Sequence, residues 1–254
     1  MSRLSLPRPL LPLLLAAAIV PGLAACGDDD GGDADREAFV NATTTETAAS
    51  TTATTAADPA DAETGDKGTC REVEEAEPRG DEPDVPKPSP ATLSGAWTVT
   101  VTTSCGAFEI ELDTKAQPKT AASFASLVRA KFFDGLGFHR IASGFVIQGG
   151  DPEGTGSGGP GYQVEEEPPS GASYTRGVVA MAKAGNEPAG TSGSQFFVVT
   201  GDDTGLPPDY AIVGKVTKGM DTVDRISDIG TDAPQGDGPP SRPVVITKAT
   251  IKKG

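Results

Sequence analysis

Histidine, cysteine and aromatic residues are scarce in this chain: 1 His, 3 Cys, 1 Trp and 3 Tyr in 254 residues. No two cysteines stand in CxxC spacing and no Cys/His cluster exists, so the sequence offers no ligand set for a zinc-type site. Basic residues are also few, with 21 Lys and Arg against 36 Asp and Glu and a formal net charge of −15. Phosphate recognition needs clustered cations, which argues against nucleic acid as a partner. The longest apolar run, Leu10 to Val20, falls well short of the roughly 20 residues that span a bilayer. The acidity is uneven: residues 26–90 hold 18 acidic and 5 basic residues, whereas residues 91–254 hold 18 and 14. The charge therefore belongs to a tail, and the rest has an ordinary balanced surface.

Arg3 and Arg8 precede the apolar run, and Pro12 and Pro21 interrupt it. A short basic stretch followed by a short apolar one has the form of an export signal. It ends in Leu23-Ala24-Ala25-Cys26, which resembles the lipobox of bacterial lipoproteins. That resemblance implies cleavage before Cys26 and lipid on Cys26, so residues 1–25 read as a lipoprotein signal peptide and the mature chain as anchored to the cell membrane, outside the cytoplasm. Residues 26–90 are rich in Ala, Thr, Asp and Pro and cannot bury enough apolar surface to offset their ordering entropy. They read as a disordered tether with a reach on the order of 45 Å. Cys70 and Cys105 remain, and two spare cysteines in an exported chain are the setting in which a disulfide forms. The alternative is two unpaired thiols.

From about Ala91 to Gly254 the pattern is that of a folded domain. "WTVTVTT" and "FEIEL" alternate apolar and polar residues around the turn "SCGA", a β-hairpin signal. "QPKTAASFASLVRAKFFDG" places Phe124, Leu127 and Val128 at helical spacing, and a second short helix fits Met220–Ile226. Strand-like runs occur at "GFHRI", "GFVIQGG", "GVVAMA", "SQFFVVT", "AIVGKV" and "PVVITKATI". Many strands and few helices indicate a mainly β fold, closed on itself and covered at its openings by helices. Gly154, Gly156 and Gly159 satisfy G-x-G-x-x-G, but "PGY" follows where a dinucleotide site needs a helix, so nucleotide binding is rejected.

The lone His139 beside Arg140 invites a reading as acid–base chemistry. Two-residue periodicity tests it, because alternate residues of a strand share a face. Phe138 and Arg140 fall on one face, His139 and Ile141 on the other; Val146 and Gln148 share a face, as do Gln195 and Phe197. One surface could then gather Arg140, Val146, Gln148, Gln195 and Phe197. It holds a cation, two amides and apolar walls, with no nucleophile and no carboxylate pair. His139 points away from it.

"FHRIASGFVIQGGDPEGTGSGGPGY", "GVVAMAKAG", "GTSGSQFFVVT" and "VGKVTKGMDTVDRI", in that order, resemble the cyclophilin family of peptidyl-prolyl isomerases, over roughly Trp97 to Lys253. The resemblance implies a closed eight-stranded antiparallel β-barrel capped by two α-helices. It implies Arg140 as the catalytic donor, with Gln148 orienting it and holding substrate backbone. Phe145, Val146, Phe197, Leu206 and Tyr210 would form the proline pocket, and Ala182 and Gln195 the adjoining groove. In this chain Val146, Gly205 and Tyr210 stand where many relatives carry methionine, tryptophan and histidine, which implies a more open rim. No cofactor is needed. The expected partners are proline-containing segments of exported proteins and, through the lipid, the membrane; the protein is expected to be a monomer. The alternative function is a cyclophilin-like module that binds proline peptides, or acts as a chaperone, with little turnover.

Overall fold

The computed structural model describes residues 69–79, 85–89 and 91–254. The expectations for the signal peptide, for lipid on Cys26 and for most of the tether lie outside the described residues. β1 (Trp97–Thr103) and β2 (Gly106–Leu112) form the expected hairpin. Val99 opposes Ile110 and Val101 opposes Phe108, and all four are buried. Then follow α1 (Pro118–Arg129), β3 (Phe138–Ala142), β4 (Val146–Gly149), β5 (Val164–Glu165), β6 (Val178–Met181), β7 (Thr191–Ser192), β8 (Phe196–Val199), β9 (Ile212–Lys218), α2 (Met220–Ser227), β10 (Asp237–Gly238) and β11 (Ile246–Lys253).

The expected closed eight-stranded barrel is corrected to an open, curled half-barrel. Its nine strands run β10-β3-β4-β8-β6-β9-β2-β1-β11, and β5 pairs separately with β7. Near the seam, the chain just before β3 meets the chain just before β11 in an isolated bridge between Gly137 and Val245. The segment that would extend this pairing carries Pro239, Pro240 and Pro243. Proline has no N–H to donate to a ladder, so pairing stops there.

Apolar residues sort into two clusters. The larger, with Phe108, Ile110, Phe124, Leu127, Phe133, Phe138, Ile141, Ile147, Phe196 and Val198 among its members, is the sealed core. The smaller gathers Val146, Tyr174, Ala180, Phe197 and Val199, with Phe145, Ala182, Leu206 and Tyr210 packed against it. Helix α1 docks on the core through Phe124, whose ring meets Phe196 edge-on at 5.5 Å. Pro118 opens the helix, where its missing N–H costs nothing. The carboxylate of Glu166 accepts hydrogen bonds from the N–H groups of Lys119 (3.1 Å) and Thr120 (2.7 Å), capping the helix from another segment.

The described fold reaches back beyond the expected boundary at Ala91. The sulfurs of Cys70 and Cys105 are bonded, 35 residues apart in sequence. Arg71 N–H donates to the Ser104 carbonyl at 2.8 Å, and Arg79 N–H to that of Pro152 at 2.9 Å.

Candidate active site

Arg140 lies in β3, which departs from strict alternation. Phe138 pairs with Gly149 and Arg140 with Gln148, leaving His139 as an extra residue in a β-bulge. The expectation that Phe138 shares a face with Arg140 is therefore corrected: the bulge sends both Phe138 and Ile141 into the core. It leaves Arg140 on the side of the smaller cluster.

Arg140 heads a directed chain of hydrogen bonds. Nε and Nη2 donate to the two carboxylate oxygens of Asp237 at 2.6 and 2.7 Å. Nη1 donates to Gln148 Oε1 at 3.0 Å. Gln148 Nε2 donates to Gln195 Oε1 at 3.0 Å, and Gln195 Nε2 to the Gly158 carbonyl at 3.0 Å. Arginine can only donate, so Gln148 must turn its oxygen to Arg140 and its NH₂ to the next amide. The cation thus fixes the orientation of both glutamines. Its contact holds the Asp237 carboxyl below the ordinary carboxylate range, with burial opposing in part.

Beside this chain is a cavity of about 280 Å³ lined by Arg140, Phe145, Val146, Gln148, Ala182, Lys183, Phe197, Leu206 and Tyr210. Its size is near the lower end of small-ligand sites, suited to one compact apolar group. The rings of Tyr174, Phe197 and Tyr210 pack at 5.7–6.3 Å between centroids, two of the pairs nearly perpendicular. Tyr174 Oη, buried below, donates to the Tyr210 carbonyl (2.7 Å) and accepts from the Tyr210 N–H (2.9 Å), which fixes that backbone. Gly205, next in sequence to the cavity-lining Leu206, has φ +64°, and a Cβ built there meets nothing within 4 Å. A larger hollow of about 1000 Å³ continues from the cavity, sharing Gln148, Ala182 and Lys183 and adding Gln195 and the 156–163 loop.

Eight of the nine residues expected from the sequence to form the site line the smaller cavity, and Gln195 lines the adjoining groove. Sequence reasoning missed Lys183, whose Nζ lies 5.5 Å from the Tyr210 ring centroid, and Asp237. No local pattern marks Asp237, which is 97 residues from Arg140 in sequence. His139 lines a separate cavity of about 250 Å³ with Glu75, Asp151 and Arg242. Burial pushes its imidazole pKa down, Arg140 adds to that, and Asp151 opposes it. Gly154, Gly156 and Gly159 lie in a loop that opens no helix. Among the described residues, no group of three or more His, Cys, Asp or Glu is placed to hold a metal.

The family model for "cyclophilin type peptidyl-prolyl cis-trans isomerase/CLD" matches residues 98–251, more than half of the chain. The chain belongs to the cyclophilin family. It is 40% identical over 160 residues to a peptidyl-prolyl cis-trans isomerase-like 1 of Neurospora crassa, covering 61% of this chain and 94% of that protein. It is 38% identical over 170 residues to a probable peptidyl-prolyl cis-trans isomerase A of Mycobacterium leprae, covering 61% and 91%. A solved cyclophilin of Cryptosporidium parvum, crystallised in the presence of the dipeptide Ala-Pro, superposes with a TM-score of 0.55 at 31% identity, covering 62% of this chain and 99% of that one. This cyclophilin is accordingly a peptidyl-prolyl cis-trans isomerase with a mainly β, two-helix domain.

Proposed function

We propose that the cavity beside Arg140 receives the proline ring of an X–Pro segment, and that Arg140 stabilises the twisted peptide bond. The carrying observation is a guanidinium held by Asp237 and Gln148 at the edge of an apolar cavity. Rotation about a peptide bond faces a barrier of about 18–20 kcal/mol, because the nitrogen lone pair is conjugated with the carbonyl. At X–Pro the two isomers are close in energy, yet they exchange in tens to hundreds of seconds. Twisting returns the lone pair to the prolyl nitrogen. A fixed cationic donor facing that nitrogen or the adjacent carbonyl favours the twisted state over either planar one, and only such differential binding accelerates exchange. Gln148 orients Arg140 and meets the substrate backbone, while Ala182 and Gln195 line the groove for flanking residues. Phe145, Val146, Phe197, Leu206 and Tyr210 supply the apolar wall. No proton is transferred, so no general base is required.

The export-signal pattern and Leu23-Ala24-Ala25-Cys26 support a setting for this activity: a lipid on Cys26, the outer face of the cell membrane, and exported proteins as clients. The enzyme then works as a monomer on a tether.

An NMR titration with an Ala–Pro peptide tests the site. The expected result is amide shifts concentrated at Phe145, Val146, Leu206 and Tyr210, with cis and trans peptide signals exchanging through the complex. Shifts without accelerated exchange would make the domain a proline-peptide binding module, and shifts elsewhere would move the site. Fatty-acid labelling that disappears in Cys26→Ser supports the anchor; labelling that persists contradicts it.

A further inference from the structure

We propose that Asp237 is a positioning residue for catalysis, a rigid carboxylate clamp that sets the aim of the Arg140 guanidinium. This rests on the reading of Arg140 as the catalytic donor. An arginine carries five N–H groups in a fixed plane. Three of these groups are taken, by the two oxygens of Asp237 and by Gln148. The remaining two, one on Nη1 and one on Nη2, are those available to a twisted peptide. A two-point contact between carboxylate and guanidinium fixes the plane of the cation as well as its place. Gln148 alone holds a single nitrogen and leaves the plane free to rotate about that contact.

The clamp is itself held by backbone. Asp237 and Gly238 form β10, whose residues pair with Ala142 and Ile141 of β3, the strand that carries Arg140. The Ser143 N–H donates to the Gly236 carbonyl at 2.9 Å, and the Gly236 N–H to that of Ala233 at 2.9 Å. Thr231 and Pro240 meet in a bridge that closes the base of this loop. Gly238 is needed for the fit, since a Cβ there would lie 2.7 Å from Ala233 Cβ and 3.0 Å from Thr231 Oγ1. The loop thus presents one carboxylate at a fixed distance from one arginine. That carboxylate also offsets part of the positive charge that would favour the twisted state. A residue retained purely for field strength would not be placed there, whereas one that fixes direction would.

The test is a double-mutant cycle on the full-length protein, read by peptide exchange kinetics together with thermal melting. Asp237→Ala is expected to lower kcat on the order of ten- to a hundredfold, because small misplacement of a catalytic group is costly. KM should stay within about twofold, since the apolar cavity is untouched. In an Arg140→Ala background the same change should have no further effect, because a clamp has nothing left to aim. Asp237→Asn keeps the shape but sets an NH₂ against a guanidinium N–H, so it should lose activity in the same direction; it carries the test if Asp237→Ala does not fold. A kcat within twofold of wild type in a folded Asp237 variant overturns the proposal and leaves the Arg140 reading intact. An equal loss with and without Arg140 also overturns it. Wild-type turnover in Arg140→Ala alone overturns both.

Discussion

Phe196 and Phe197 are neighbours in β8 and differ in what surrounds them. Phe196 belongs to the sealed core, where its ring meets those of Phe124, Phe133 and Phe138. Phe197 belongs to the smaller cluster, which leaves a cavity of about 280 Å³ at its surface. Strand β6 divides in the same way, with Val179 and Met181 in the core and Val178 and Ala180 in the smaller cluster. Helix α1 lies over the core, through Phe124, Leu127 and Val128; neither helix contributes to the smaller cluster. A sheet face that carries apolar residues but no covering helix is left with surface to offer a ligand. Stability should therefore track the core and function the smaller cluster.

Substitutions can break this division. The largest stability loss is expected from Phe196→Ala, about 3–5 kcal/mol by denaturant melting, because the cavity left in the core cannot collapse. A loss below about 1 kcal/mol would show that the core is not as tightly filled as its ring contacts indicate. Next comes the covalent staple: Cys105→Ser should cost about 3–4 kcal/mol by the chain-entropy account of a loop this long, with the isomerisation rate of folded protein unchanged. A changed rate would tie the 69–79 strap to the site. Leu206→Ala, at the half-buried cavity wall, should raise the peptide KM several-fold while costing no more than about 2 kcal/mol of stability. An unchanged KM would remove Leu206 from the proline wall.

The smallest effect concerns His139. Both its ring nitrogens are buried without a hydrogen-bond partner. Burial lowers its folded-state pKa below the ordinary 6.5. Between those two values the unfolded chain holds a proton that the folded chain does not, so stability falls as pH falls below about 6.5. Melting temperatures between pH 7.5 and pH 5 should show this slope, and His139→Gln should flatten it. An equal slope in the variant would assign it to other groups.

Much of this division was legible in the sequence. Alternation in "WTVTVTT" and "FEIEL" marks the hairpin and its buried side, and helical spacing of Phe124, Leu127 and Val128 marks the face of α1 that docks. Two-residue periodicity places Val146 with Gln148 and Gln195 with Phe197, and the resemblance to the cyclophilin family brings the two pairs together around Arg140. Three features were not legible, each because the deciding contact is distant or irregular. The bulge at His139 adds one residue to β3 and reverses where Phe138 points, with no residue type to signal it. β10 is two residues between glycines and prolines, too short for any periodicity, so Asp237 gave no sign of meeting Arg140. The open seam depends on which segment meets the edge near β11, and the prolines there show their effect only once that neighbour is known.

The most direct test of the account compares Arg140→Ala with wild type by protease-free exchange kinetics on an X–Pro peptide, alongside thermal melting of the same samples. A loss of about 10²–10³ in kcat/KM is expected, the scale for removing one preorganised donor to a transition state. The melting temperature should hardly move, because Arg140 is a third exposed at its side chain and lies outside the sealed core. Undiminished exchange in the variant would contradict the assignment of catalysis to this guanidinium, and a collapse of melting together with rate would contradict the separation of the two clusters.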